Sequence, residues 1–159
     1  MDVISANPTE SFLKESDLYF YGDNFWQAPL YKQVEGLNIE QALWRPAEGK
    51  HCIWQLVRHI NYWKYWALKY AREGVMEEAK EHNWAPLPDE KTESNWKADV
   101  ENLKNLHEEF KSVCSQIGSK LFDSKDENIV FLRTVLYHDA YHSGQIGTLR
   151  TLQNIKPVV

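Results

Sequence analysis

His138 and His142 stand four residues apart inside the stretch Asn128 to Gln153, NIVFLRTVLYHDAYHSGQIGTLRTLQ. Residues at i and i+4 of a helix project from successive turns of one face, with Cβ atoms about 6 Å apart. Two imidazoles so placed can converge on a single metal ion. At about 100° per residue, Phe131, Val135, His138, His142, Gln145, Leu149 and Leu152 fall on one stripe. A polar trio inside an apolar stripe is costly to bury unless something satisfies it. That conflict between pattern and chemistry marks the stretch as a candidate site.

A third imidazole, His59, lies at the edge of the apolar stripe of another helix, beside Trp63 and Trp66. Spacing alone leaves two readings level: a metal site shared by the three, or three separately satisfied core histidines. Gln145, one turn beyond His142, either supports a ligand or a metal-bound water by hydrogen bonding or caps the polar cluster without function. His51 precedes His59 by eight residues and sits at a helix terminus, facing either the same cavity or, as the better reading, solvent. His82 and His107 lie among acidic neighbours and read as surface residues. Asp139 falls about 80–100° off the histidine stripe, which makes it a solvent or inter-helix partner. Tyr137 and Tyr141 face away from that stripe and read as packing residues. No GxSxG elbow, P-loop, GxGxxG or HExxH is present, and no residue is assigned as catalytic acid or base.

The elements that must hold these side chains are helical. Residues 1–9 read as a tail, and Thr9 or Ser11 caps a first helix over Glu10 to Tyr31, with Gly22 its weak point. Asn38 to Trp44 makes a short helical turn, stopped at Arg45-Pro46. The second helix runs from Cys52 to Glu73 on the stripe Ile53, Leu56, Val57, Ile60, Trp63, Ala67 and Ala71, and Gly74 ends it. A charged, then proline-punctuated stretch from Val75 to Glu93 forms a long surface loop. The third helix spans Asn95, capped by Ser94, to Ile117, with Trp96, Val100, Leu103, Leu106 or His107, Phe110, and Cys114 or Val113 inward. Asp126 caps the fourth. A small-residue patch at Ala140, Ser143, Gly144 and Gly147 allows a neighbour to approach closely. No period-2 run or hairpin turn signal appears. The expectation is an all-α four-helix bundle, a single domain over residues 1–159, with a long loop between its second and third helices.

Bulk composition narrows the function classes. With 159 residues, 43% hydrophobic and a net charge of −5, the chain has the means for one core and shows no basic patch for nucleic acid. No run of about 18 apolar residues exists, and the N-terminus lacks a signal-peptide pattern. Cys52 and Cys114 form no CxxC and read as free thiols. A cytoplasmic protein without nucleic-acid or membrane partners is expected. Seven Trp and eight Tyr demand partners for several buried N–H and O–H groups.

Two segments, LWRPAEGKHCIWQLVRHINYW and VLYHDAYHSGQIGTLR, resemble the DinB-like (DinB/YfiT) superfamily over nearly the whole chain, and His-x-x-x-His-x-Gly-Gln is the most specific part. The resemblance implies a four-helix bundle binding one divalent transition metal through His59, His138 and His142. Zinc or nickel come first, with iron, manganese and copper open. Where relatives often open the second helix with a small polar residue, this chain has His51 and Cys52. Characterised members include thiol-dependent transferases and hydrolases, so a small-molecule substrate, a thiol cofactor and a homodimer are implied expectations. Two functions remain open: an enzyme activating water or a low-molecular-weight thiol, and a non-catalytic stress-response module with a structural metal. Trp44, Trp63 and Trp66 are candidate pocket walls, though packing explains each as well.

Overall fold

The computed structural model describes residues 7–22, 26–74 and 83–158. Among them are six α-helices and one short 3-10 helix, and no strand: α1 (Pro8–Phe20), α2 (Leu30–Val34), α3 (Ile39–Leu43), α4 (Ile53–Glu73), α5 (Glu93–Ile117), the 3-10 turn Gly118–Phe122, and α6 (Glu127–Leu152). The four long helices form the all-α bundle. Within it α4 packs on both α5 and α6, while α1 leans on α5.

Capping chemistry sets most boundaries. Asp126 Oδ1 accepts from the N–H groups of Asn128 and Ile129 at 3.0 and 3.3 Å, satisfying donors that the first turn of α6 leaves open. Thr92, rather than Ser94, caps α5 by accepting from the Asn95 N–H at 3.2 Å. Cys52 is the N-cap of α4, and its backbone N–H donates to Gln55 Oε1. Gly74 closes the same helix at φ +69°, the left-handed conformation a glycine adopts without steric penalty.

The expected first helix does not run from Glu10 to Tyr31. It begins earlier, at Pro8, because Asn7 Oδ1 accepts from the Thr9 N–H at 3.0 Å and proline suits the first turn. Thr9 is buried, so the expected tail is shorter than residues 1–9. The helix stops at Phe20, two residues before Gly22 at φ +145°, a value L-residues avoid. The chain resumes as α2 directly after Pro29.

Two apolar clusters make the core. One joins α2 and α3 to the first halves of α4 and α5 and the end of α6, including Val34, Trp54, Ile60, Leu103 and Ile146. The other joins the later turns of α4 and α5 to the start of α6, including Leu68, Phe110, Leu121 and Leu132. The buried indoles find acceptors: Trp54 Nε1–H donates to Asp99 at 2.6 Å and Trp96 Nε1–H to the Leu37 carbonyl at 2.7 Å. The close approach expected at the small-residue patch is made by α2: a Cβ on Gly147 would stand 3.1 Å from Gln33 Oε1, and Gln33 Nε2 donates to Ser143 Oγ at 2.6 Å. Gly144 meets open space instead.

Between the two clusters the helices carry polar residues. On α4, Lys64 falls between Ile60 of one cluster and Ala67 of the other; on α6, Asp139 and His142 fall between Val135 and Ile146. Lys64 is fully buried and its ammonium lies 2.5 Å from Asp139 Oδ2. The polar layer passes through the middle of the bundle and holds the histidines.

Candidate metal centre

His59 on α4 and His138 and His142 on α6 come together, with one ligand nitrogen from each lying within 4.8 Å of the others. The Nε2 atoms of His59 and His138 are 3.0 Å apart. Their rings sit 4.9 Å from each other, and 4.6 and 4.4 Å from that of His142. His59 and His142 are buried and His138 is partly exposed.

The outer nitrogens determine the proton positions. His59 Nδ1–H donates to the backbone carbonyl of Asn83, which can only accept, so its Nε2 carries a free lone pair. His142 Nδ1–H donates to Gln145 Oε1 at 2.7 Å, leaving its Nε2 free in the same way. Burial lowers the His59 imidazole below its ordinary value, and the neighbouring His138 adds to this against the Asn83 hydrogen bond. His142 is held down to about 4, by burial first and by the other two imidazoles as well. Both rings are therefore neutral at pH 7, the form in which imidazole binds metals. The donor set fits a divalent transition ion. Tetrahedral ligand nitrogens at bond lengths of about 2.0–2.1 Å stand roughly 3.3 Å apart, close to the His59–His138 separation. With its proton on Nδ1, His138 would turn a second lone pair to that point, and a shared cation would satisfy both.

Asp139 lies beside the triad, not in it: its Oδ1 is 3.8 Å from His138 Nδ1. Burial works to raise its carboxyl, but the Lys64 ammonium and His138 outweigh burial and hold it below the ordinary carboxylate range. Of the two roles expected for Asp139, the inter-helix one is realised.

Other expected residues take varied places. Gln145 is in contact with His142. Trp63 reaches the site, with its ring 6.5 Å from that of His138 and its Nε1–H donating to Asn83 Oδ1 at 2.8 Å. With Phe131, Thr134 and Val135 it walls a cavity of about 260 Å³ that includes His138. Trp66 instead packs against Tyr62, Tyr65 and Tyr70, and Trp44 against the first apolar cluster. His51 is exposed just before the start of α4.

Three expectations are corrected. His107 is fully buried: its ring stacks on Phe20 at 3.9 Å, and its Nε2 lies 3.0 Å from Asp17 Oδ1. Burial and the nearby Lys64 push it down to about 4. Tyr137 and Tyr141 are not packing residues; they are 77% and 65% exposed. The buried face of α6 is turned from the expected stripe, running through Ile129, Leu132, Val135, Asp139, His142, Ile146 and Leu149, while Leu152 is exposed. Asp139 joins this face because the Lys64 ammonium of α4 pairs with its carboxylate, a partner that hydropathy does not count. His82 lies outside the described residues.

The long loop supplies what sequence reasoning missed. Trp84 stacks flat between two imidazoles, 4.0 Å from His59 and 3.7 Å from His51, at 11° to each. Asn83 binds His59 through its carbonyl and Trp63 through its side chain. The only sequence signal was a Trp within a proline-punctuated loop. Both cysteines are free and buried, and burial pushes the Cys114 thiol up to about 12, which makes it a poor nucleophile. No helix among the described residues is long and apolar enough to cross a membrane.

A family model described as the DinB superfamily matches residues 27–146, a span that contains all three histidines. No curated protein and no solved structure matches the chain.

Proposed function

This chain belongs to the DinB superfamily, and we propose that it is a metal-dependent enzyme whose ion is held by His59, His138 and His142. The observation that supports this most directly is the number of protein ligands. Among the described residues no fourth histidine, cysteine or carboxylate joins the group. Closed structural zinc sites use four protein ligands, whereas three with an open position is the catalytic pattern. A divalent ion held by neutral imidazoles keeps its full charge and lowers the pKa of water or of a low-molecular-weight thiol at the open position. The reaction is then hydrolysis or thiol transfer on a small molecule. Imidazole nitrogens suit zinc, nickel, iron and copper; zinc and nickel are our first candidates, with iron, copper and manganese after them.

The chain's own residues orient and exclude. Asn83 and Gln145 fix which nitrogen of His59 and of His142 faces inward, and Trp84 shields one face of His59 from water. The cavity at Trp63 and Phe131 offers an apolar surface to a substrate.

One observation favours a second reading. The triad ties α4 to α6 at mid-length within the buried polar layer, where an ion would act as a staple. Cobalt substitution separates the two. For an enzyme, the cobalt spectrum shifts on adding a small thiol or an ester, and His142→Ala stays folded while losing turnover in a hydrolase and thiol-transfer panel. A staple gives a silent spectrum, and His142→Ala lowers the melting temperature sharply.

A further inference from the structure

A second cleft adjoins the histidines on the side away from Trp63. It encloses about 400 Å³ between the chain near residues 46–51 and the last turns of α6. Leu56, Leu149 and Leu152 form its apolar wall, while Lys50, His51 and Gln145 supply polar groups. Two of its residues lead directly to the triad. Gln145 accepts the His142 hydrogen bond at 2.7 Å, and His51 stacks on the indole that covers His59.

The lining has an unusual charge balance for this chain. The protein carries a net charge of −5, yet no acidic side chain lines the cleft, and the one formally charged group is the Lys50 ammonium. The apolar wall includes Leu152, which is 55% exposed and would otherwise be an apolar side chain left in water at the end of α6. The 260 Å³ cavity on the Trp63 side is lined by no ionic side chain apart from His138 and has no comparable means of selecting charge.

We infer that this cleft is the subsite for the non-reacting part of the substrate, and that this part is an apolar chain or ring ending in a carboxylate. Its apolar body lies on Leu56, Leu149 and Leu152, its carboxylate faces Lys50, and the reacting end passes Gln145 to reach the triad. The inference takes the position of the chemistry from the metal-site reading, but the subsite itself consists of side chains that bind no metal.

The test uses metal-loaded protein and titrates octanoate, octan-1-ol and acetate by calorimetry, with the metal content of the same sample measured. Octanoate is expected to bind at one site, about fivefold more tightly than octanol, since an exposed ammonium contributes modestly. Acetate, without the chain, should bind at least about a hundredfold more weakly. Lys50→Gln should remove the advantage of octanoate over octanol. Thr148→Trp, an exposed position on the cleft rim, should fill the space and weaken both. Octanoate binding that equals octanol, or that survives both substitutions because the carboxylate coordinates the ion directly, would overturn the subsite. Metal uptake without Lys50-dependent octanoate binding sinks the subsite alone. Lys50-dependent octanoate binding by protein that takes up no metal supports the subsite and overturns the metal reading.

Discussion

The Nε2 atoms of His59 and His138 face each other at 3.0 Å, although they stand 79 positions apart in the chain. The Asn83 carbonyl occupies the proton of His59, so what lies between the two nitrogens is either the Nε2 proton of His138 or a cation, and the proposed metal site calls for the cation. Protein purified without a histidine tag should therefore contain about one transition metal ion per chain by elemental analysis. Replacing His59, His138 or His142 singly with Ala should weaken uptake by more than the roughly ten- to hundredfold that losing a supporting hydrogen bond costs. Full metal content in any of these variants would remove that histidine from the site.

Acid should destabilise the metal-free protein in a defined window. His107 and His142 are each held at about 4, whereas an unfolded histidine titrates near 6.5. Between those values the unfolded chain binds more protons than the folded one, so stability rises with pH across the window and is lost as pH falls from 6.5 towards 4. Urea midpoints at pH 7, 5.5 and 4.5 should decline in that order. His107→Gln, which has no imidazole to protonate, should show a shallower decline. An equal slope in the variant would mean that His107 is protonated in the fold.

The fold was largely legible because its long helices have clean apolar periodicity and strong end signals. Asp126 and Gly74 were both readable from sequence, and both perform their expected roles. The break between α1 and α2 was visible only as Gly22, whose cost is small enough for a helical run to absorb on paper. The three histidines were legible through spacing and resemblance. Asn83 and Trp84 were not, because a loop residue reaches a site by tertiary folding that no local period encodes. Lys64 and Asp139 were legible in principle, since 60, 64, 67 and 135, 139, 142 are core spacings. Hydropathy hid them, because it treats each charge alone and has no means of pairing α4 with α6.

That pair should be expensive to break from one side. Lys64 is wholly buried, and Asp139 is its counter-charge at 2.5 Å. Asp139→Asn leaves an uncompensated ammonium in the core, for a loss of about 3–5 kcal/mol in chemical denaturation. The double replacement Lys64→Met with Asp139→Leu removes both charges and should recover most of that loss. If the double variant is as unstable as the single one, the layer is held by something other than the pairing.

The supporting groups of the triad predict a separation of metal affinity from stability. Trp84 is over one-third exposed, and its stacking on His59 is the contact that bears on the site. Gln145 is half-buried and touches His142 through one hydrogen bond. Neither fills the apolar clusters, so Trp84→Ala and Gln145→Ala should each leave the melting temperature of metal-free protein within a few degrees of the parent. Without Gln145 Oε1, the His142 ring loses the acceptor that fixes its proton on Nδ1. The other tautomer, then accessible, would place N–H, not a lone pair, at the shared point. Competition with a chromophoric chelator should show affinity lowered by about ten- to hundredfold for Gln145→Ala. Gln145→Glu restores an acceptor and should recover it. Unchanged affinity in Gln145→Ala would mean that the His142 tautomer is set elsewhere, and a large drop in melting temperature would make Gln145 a packing residue.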